Sequence, residues 1–291
     1  VTELRTVLRA ATSRLSEAGI ETPRVDAELL AAHALGVRRG RLPLIDTVTD
    51  EAATVLDGLV DRRAAREPLQ HIVGEAPFLD RLLSVGPGVF VPRPETELLA
   101  AWGIEMIGLL ARPVAVDLCS GSGALAVAIA DAKADAHVYA VERSRAALPW
   151  LRRNTEGTSV HVVEGDVTDP AVLHQLDGSV DLVVCNPPYV PAAVGVPTEV
   201  SHDPAEAVFA GPDGLDVIPA IISRAASLCR DGGHLGLEHD ESQAKVVAEL
   251  LRVDGRYAEI AGMSDLTGRP RFTIARRIGW RESLPTRGMA G

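Results

Sequence analysis

Long apolar runs are missing from these 291 residues. None approaches the roughly 20 consecutive residues that a membrane-spanning helix needs, which argues against a membrane partner. Paired cysteines are missing too. The three present, Cys119, Cys185 and Cys229, are odd in number, far apart and without a CxxC pair, which argues against a disulfide framework and a zinc site. A basic excess is absent: 29 Lys and Arg face 40 Asp and Glu, a net charge of −11. Proteins that grip long nucleic acid usually carry a basic field, because phosphate neutralisation dominates that affinity. The balance therefore predicts no stable nucleic-acid partner. Internal repeats and low-complexity tracts are also lacking. The opening stretch "VTELRTVLRAATSRLSEAGI" is amphipathic and has no signal-peptide core, so the expectation is a cytoplasmic protein.

What is present falls into two patterns. Leu4, Val7, Leu8, Ala11 and Leu15 recur at helical spacing, a second helix is expected after Pro23, and a third over about 50–66. Around "LQHIVGEAPFLDRLLSV" the pattern changes to short apolar runs broken by Gly74 and Pro77, which suggests a hairpin. From Pro113 onward strands and helices alternate: "PVAVDLC", "GALAVAIADA", "AHVYAVE", "RAALPWLRRN", "SVHVVEGD" and "SVDLVVCN". A helix near 215–230, the strand "GHLGLEHD", a further helix and two late strands near Tyr257 and Phe272 complete the series. Such alternation predicts an α/β fold, a mostly parallel sheet with helices on both faces. The expected organisation is a helical domain over 1–68, a hairpin linker over 69–88, an α/β domain over 89–280 and a disordered tail over 281–291.

Residues 114–130, "VAVDLCSGSGALAVAIA", read as strand, small-residue turn and helix. Gly121 and Gly123 let a ligand approach the backbone closely. A dinucleotide fold would place GxGxxG here; the chain instead has CSGSG, preceded by Asp117 at the strand end. An acid there suits a cationic ligand such as the amino group of S-adenosylmethionine better than a pyrophosphate; the competing reading is a tight strand-to-helix turn without ligand. Glu142 ends the next strand, where it can accept both hydroxyls of a ribose, and Asp166 ends the third, where it can hold an adenine amino group. Ligands of open α/β sheets lie beyond the carboxyl ends of the strands, so Asp117, Glu142, Asp166 and Asn186 are expected around one crevice.

Asn186, Pro187, Pro188 and Tyr189 follow the fourth of these strands. An amide nitrogen is a poor nucleophile because its lone pair is delocalised into the carbonyl. The Asn186 side-chain oxygen and the Pro187 carbonyl can accept the two N–H bonds of a planar NH2 group, and Tyr189 can pack its face. The prolines hold these groups in place before reaction, which limits the entropy lost in the transition state. No general base is evident in the sequence. The competing reading is a proline-rich turn with a capping Asn.

The "NPPY" turn downstream of "DLCSGSG" resembles class I S-adenosylmethionine methyltransferases acting on planar exocyclic or amide nitrogens. "EPLQHIVG" (67–74), "FVPRPETE" (90–97), "HDPAEAVFAGPDGLD" (202–216) and "DLTGRPR" (265–271) narrow the resemblance to the PrmC/HemK family, and it covers nearly the whole chain. It implies a seven-stranded Rossmann-like methyltransferase domain behind a helical substrate-recognition domain. The implied activity is methylation of the GGQ-loop glutamine, at N5, of class I peptide chain release factors; separately, a monomer is expected. Carried over by motif, the cofactor loop is Cys119, Ser120, Gly121, Ser122 and Gly123, with Glu142 as the ribose-binding acid; Asp117, Asp166, Val167 and Asn186 complete the expected cofactor site. The glutamine site comprises Asn186 to Tyr189; Pro92 to Glu97 match the family segment that lies beside the cofactor pocket, with Arg93 and Glu95 as its polar contributors to substrate binding. A ribosomal-protein glutamine, a nucleic-acid exocyclic amine, or cofactor sensing without catalysis are the alternatives.

Three positions depart from the family pattern. Cys119 stands where glycine is usual, Val167 where an aromatic residue is common, and "LEHDESQ" (237–243) replaces a stretch similar to "LEIGEGQ". Cys119 and Cys185 end strands expected to be neighbours, so their thiols are expected near each other, either as small buried side chains or as a redox pair. His71, His202 and His239 lack ligand spacing and read as ordinary polar positions. The arginine-rich "DRRAARE" (61–67) reads as a solvated helix face.

Overall fold

The computed structural model describes residues 1–279, so the tail expected at 281–291 lies outside the described residues. Two units emerge from the pattern of contacts. The smaller comprises 1–75, 85–87 and 196–203; the larger comprises, among the described residues, 76–84, 88–195 and 204–279.

In the smaller unit, β1 (Thr2–Glu3) pairs with β2 (Thr47–Val48) beside α1 (Leu4–Glu17), α2 (Pro23–Ala34), α3 (Asp50–Ala64) and α4 (Leu69–Val73). Pro23 opens α2, where its missing N–H costs nothing. The Thr49 hydroxyl accepts from the Ala52 N–H at 3.2 Å and caps α3. Leu4, Leu15, Leu30, Leu56 and Val60 meet in one apolar core. A groove of about 580 Å³ opens among Leu4, Leu8, Leu42 and Ile45, with Arg5 and Arg39 also in its lining.

"DRRAARE" is not the solvated face that its charge suggests. Arg63 is buried and donates from Nε to Asp26 at 2.7 Å, while Arg66 reaches Glu199 at 2.9 Å and the Gly19 carbonyl at 2.7 Å. Those ion pairs draw 196–203 into the helical unit, although the sequence places that segment deep in the α/β domain. The hairpin also starts later than expected. Residues 69–73 form α4, closed by Gly74 at φ +80°, and the two strands are β3 (Glu75–Phe78) and β4 (Arg81–Ser84). Most of this hairpin packs with the larger unit, through Phe78 and Leu83, and so is not a free linker.

The larger unit continues with α5 (Thr96–Ile107), β5 (Val114–Leu118), α6 (Ala124–Ala132), β6 (His137–Glu142), α7 (Leu148–Thr155), β7 (Val160–Glu164) and β8 (Val180–Cys185). It ends with α8 (Ala205–Val208), α9 (Ile218–Leu228), β9 (Cys229–Glu238), α10 (Ala244–Asp254), β10 (Tyr257–Ser264) and β11 (Pro270–Arg277). Helix α5 was not foreseen: its apolar residues leave no single stripe for helical periodicity to reveal.

The seven strands run in the order β7-β6-β5-β8-β9-β11-β10. Strands β5 to β9 are mutually parallel, and β11 is antiparallel to both of its neighbours. Successive side chains alternate between faces. Ala115, Leu182 and Val184 pack with α5, α6 and α7, whereas Val116, Leu118, Val183 and Cys185 pack with α9 and α10. Each fully buried aliphatic side chain here contributes about 2 kcal/mol. Going from β5 the chain adds β6 and β7 on one side, then returns to place β8 on the other. The carboxyl ends of β5 and β8 therefore border the crevice where open α/β sheets bind ligands.

Candidate active site

Asp117 faces α6, its neighbours Val116 and Leu118 facing the opposite side of the sheet. Its carboxylate is 1% exposed. Oδ2 accepts a long bond from the Ala126 N–H at 3.3 Å, and Oδ1 is buried without a hydrogen-bond partner. Burial pushes its pKa up to about 8; the Ser120 and Ala126 contacts oppose the rise, and the charge of Glu142 adds to it. An orphaned buried carboxylate oxygen is a vacant acceptor for a cationic or N–H donor.

The turn beyond Asp117 is held open by its own backbone. Cys119 has φ +62° and Gly121 φ +55°, and a Cβ added at Gly121 would meet nothing within 4 Å. Gly123, at φ +87°, is required by packing, since a Cβ there would come 2.6 Å from Leu151 Cδ1. Ser120 donates its hydroxyl to the Asp117 carbonyl at 2.9 Å, and the Ser122 carbonyl accepts from Asn154 Nδ2 at 2.9 Å. Glu142, at the end of β6, clamps the same turn: Oε2 accepts the Gly121 N–H at 2.8 Å and Oε1 the Ser144 N–H at 2.6 Å. Each oxygen retains a lone pair for a further donor.

Asp166 lies two residues past β7. Its Oδ1 accepts from the Thr168 N–H and hydroxyl at 2.8 and 2.7 Å, and Oδ2 lies 3.3 Å from Arg143. Burial raises its pKa, but these donors outweigh that and hold the carboxyl below its ordinary value. Val167 is buried and belongs to the same apolar core as Val116, Leu118 and Val141.

Beyond β8, Asn186 donates from Nδ2 to the Thr96 hydroxyl oxygen at 3.1 Å, and Thr96 donates to Glu238 Oε2 at 2.8 Å. The Tyr189 hydroxyl points at Glu238 Oε1, 3.4 Å away, and burial together with the Glu238 charge pushes its pKa up. The Tyr189 carbonyl accepts from Gln243 Nε2 at 2.9 Å; the same nitrogen donates to the Asp213 carbonyl at 3.1 Å. Val190 exchanges backbone bonds with Val208 and Ala210 at 2.9 and 3.0 Å. The proline turn is thus fastened at its start, its middle and its end. Arg93 stacks over Phe90 at 4.7 Å, and the charges of Arg93 and Glu95 both act on Tyr189.

Three residues of this site went unforeseen, Glu238, Gln243 and Arg271; Thr96 lies in the segment Pro92 to Glu97 expected beside the pocket, but its role behind Asn186 was not read from the sequence. Glu238 was within reach of the rule that found the other strand ends, because it closes β9, the next parallel strand. Its carboxyl is 0% exposed; burial lifts its pKa to about 7, with Glu95 adding to the rise and the bonds from Thr96 and Tyr189 and the charge of Arg271 opposing it. Gln243 also closes a capping box with Asp240, which explains the glutamine at the end of "LEHDESQ".

His239 is tied into the backbone. Nδ1–H donates to the Asp240 carbonyl at 2.8 Å, so Nε2 accepts from the Thr273 hydroxyl at 2.8 Å, and burial lowers its pKa. Cys119 and Cys185 are neighbouring free thiols; burial first, then the influence of Cys119, pushes the Cys185 thiol well up. Among the described residues no cluster of three or more metal-ligating side chains occurs, and no helix is long and apolar enough to cross a membrane.

A glycine turn and a rigid amide-bearing turn side by side at the switch point of a seven-stranded sheet define the class I methyltransferase fold. Residues 103–203 match the Methyltransferase small domain, and residues 6–74 match the PrmC N-terminal domain. The release factor glutamine methyltransferase of Mycolicibacterium smegmatis is 52% identical over 279 residues, covering 96% of this chain and 99% of that protein. That of Corynebacterium glutamicum is 46% identical over 274 residues, covering 93% and 98%. The solved hMettl16 catalytic domain, in complex with the MAT2A 3′UTR hairpin 6, shares the fold with a TM-score of 0.52 at 16% identity, over 67% of this chain and 74% of that one. The chain belongs to the release factor glutamine methyltransferase family, as the sequence motifs led one to expect.

Proposed function

We infer that the protein transfers a methyl group from S-adenosylmethionine to the N5 amide nitrogen of the GGQ glutamine in class I peptide chain release factors. The observation that carries this reading is the Asn186 amide, anchored from behind by Thr96 at 3.1 Å in a turn that Gln243 and the Val190 bridge hold rigid. Family membership over almost the full chain supports the choice of a protein glutamine.

The residues present fit the cofactor. The orphaned Asp117 Oδ1 suits the ammonium of its methionine part, the open space at Gly121 admits its backbone-facing side, and the free lone pairs of Glu142 suit ribose hydroxyls. Asp166 and the backbone at Val167 border the adenine position. When bound, the cofactor supplies a methyl group activated by a sulfonium. Asn186 Oδ1 and the Pro187 carbonyl accept the two N–H bonds of the substrate amide, which orients the nitrogen and favours electron density on it. Tyr189 covers the amide plane, and Arg93 and Glu95 set the local field. Because these groups are in place beforehand, little reorganisation accompanies the reaction.

The helical unit is assigned the reading of the folded substrate, since a pocket for one side chain cannot select one glutamine among many. We also infer a cytoplasmic monomer without a stable nucleic-acid partner, which the net charge of −11 supports. The test is incubation with methyl-labelled S-adenosylmethionine, a class I release factor, ribosomal proteins and tRNA or rRNA, followed by mass spectrometry. Label is expected on the GGQ glutamine, and Asn186→Ala should lower the rate by about 100-fold or more. Label on nucleic acid or a ribosomal protein, with that glutamine untouched, would overturn the reading.

A further inference from the structure

Asn186 presents a choice that its side chain alone does not settle. An amide can offer either its oxygen or its nitrogen to the substrate, and which one faces outward follows from the hydrogen-bond network behind it. Thr96 has one hydroxyl proton and lies between Asn186, at 3.1 Å, and Glu238 Oε2, at 2.8 Å. An ionised carboxylate only accepts, so the Thr96 proton goes to Glu238. The Thr96 oxygen must then accept, and only Asn186 Nδ2 can donate to it.

We propose that Thr96 and Glu238 form a positioning relay behind Asn186. Ionised Glu238 sets the direction of the chain of hydrogen bonds and thereby commits Asn186 Oδ1 to the substrate amide. A proton added to Glu238 Oε2 reverses the chain: the carboxyl donates to Thr96, Thr96 donates toward Asn186, and the amide turns over. Its Nδ2 then faces the substrate N–H, donor against donor, and the nucleophile loses its acceptor. This rests on the glutamine methyltransferase reading above and deepens it, by assigning the pH dependence of that site to a residue that does not touch substrate.

Geometry and surroundings support the relay. Glu238 and Thr96 are 0% and 3% exposed, so water does not compete for these bonds. The groups facing Glu238 come from four elements: Glu95 at the start of α5, Tyr189 beyond β8, Cys185 at the end of β8, and Arg271 on β11. Asp240 follows on its own chain and shares Arg271 with Asp265. Glu95 opposes ionisation of Glu238 and Arg271 favours it, while burial lifts its pKa to about 7. The switch therefore operates near neutrality.

The test follows two resonances of the full-length, isotope-labelled protein against pH, with no ligand present: the Glu238 carboxyl carbon and the Asn186 Nδ2 group. Both are expected to titrate with one midpoint near neutrality. In Thr96→Val, Glu238 should still titrate and Asn186 should stop responding; in Glu238→Gln, the Asn186 response should vanish. An Asn186 signal that ignores Glu238 in the wild type, or that still follows it in Thr96→Val, overturns the relay. In turnover with a release factor, kcat should fall on the acid side of the same midpoint, and Glu238→Gln should flatten that limb. Thr96→Val should lower kcat at least tenfold at pH 8 with KM for the protein substrate changed less than threefold, and Thr96→Ser should restore most of it. Equal rates for the Val and Ser variants refute the relay. A wild-type protein that leaves the glutamine unmethylated removes the functional reading, and the resonances alone then decide the relay.

Discussion

Cofactor binding should expel a proton from Asp117. In the free protein its buried carboxyl, with one oxygen unpartnered, has a pKa of about 8 against an ordinary 3.8. At pH 7 it is therefore about 90% protonated by the usual titration relation. An ammonium placed at Oδ1 favours the carboxylate, so the proton leaves as the ligand enters. An α-amino group with a pKa near 7.8 takes up about 0.1 proton at this pH, leaving a net release of about 0.8. Titration calorimetry at pH 7 in two buffers of different ionisation enthalpy measures that number directly. Asp117→Asn should abolish the release and weaken binding. The same carboxyl governs stability. Its folded pKa lies above its unfolded value, so the folded state binds more protons between about pH 4 and 8, and stability is highest below that window and falls as pH rises through it. The gap corresponds to a loss on the order of 5 kcal/mol when Asp117 is fully ionised. Asp117→Asn should therefore melt higher than wild type at pH 8.5, without cofactor. No proton release in the wild type, or a variant that melts lower at pH 8.5, would refute the reasoning.

Other substitutions probe the supports of the site. Arg63→Ala leaves Asp26 buried without its ion pair at 2.7 Å and should destabilise the protein by about 3–5 kcal/mol in denaturant melts. Gly214→Ala should cut kcat sharply, because Gly214 has φ +75° and an added Cβ would collide with the Tyr189 carbonyl oxygen and Gln243. Cofactor affinity, measured separately, should change far less. Cys119→Gly relieves a non-glycine residue at φ +62°, worth about 1–2 kcal/mol, and gives back part of it through greater unfolded-chain entropy. Its melting temperature should stay within a few degrees of wild type.

Much of this molecule was readable along the chain. The alternation from Pro113 onward located the strands, because each element carries its own period and its own turn residues. Asp117, Glu142 and Asn186 were read as strand ends; in the structure Asp117 lies one residue before the end of β5, Glu142 ends β6 and Asn186 follows β8. Other features were misread for physical reasons. Charge alone made "DRRAARE" look solvated, but partners at Asp26 and Glu199 bury Arg63. Helix α5 was missed because apolar residues on all its sides leave no stripe. Glu142 was foreseen as a ligand acceptor, not as the clamp that holds Gly121.

By itself, the sequence determined the alternating elements, the glycine turn, the proline-stiffened Asn-Tyr turn and the family to which these motifs belong, since each is a property of consecutive residues. Only the tertiary structure decided what stands behind Asn186. Thr96 is 90 positions away from it, and Glu238 is 142 positions from Thr96. No local period links residues so far apart: they meet because β8 and β9 are neighbours in the sheet and α5 packs across both. The same burial that brings them together raises the Glu238 pKa, so both the direction of the hydrogen bonds and their sensitivity to pH are products of the fold.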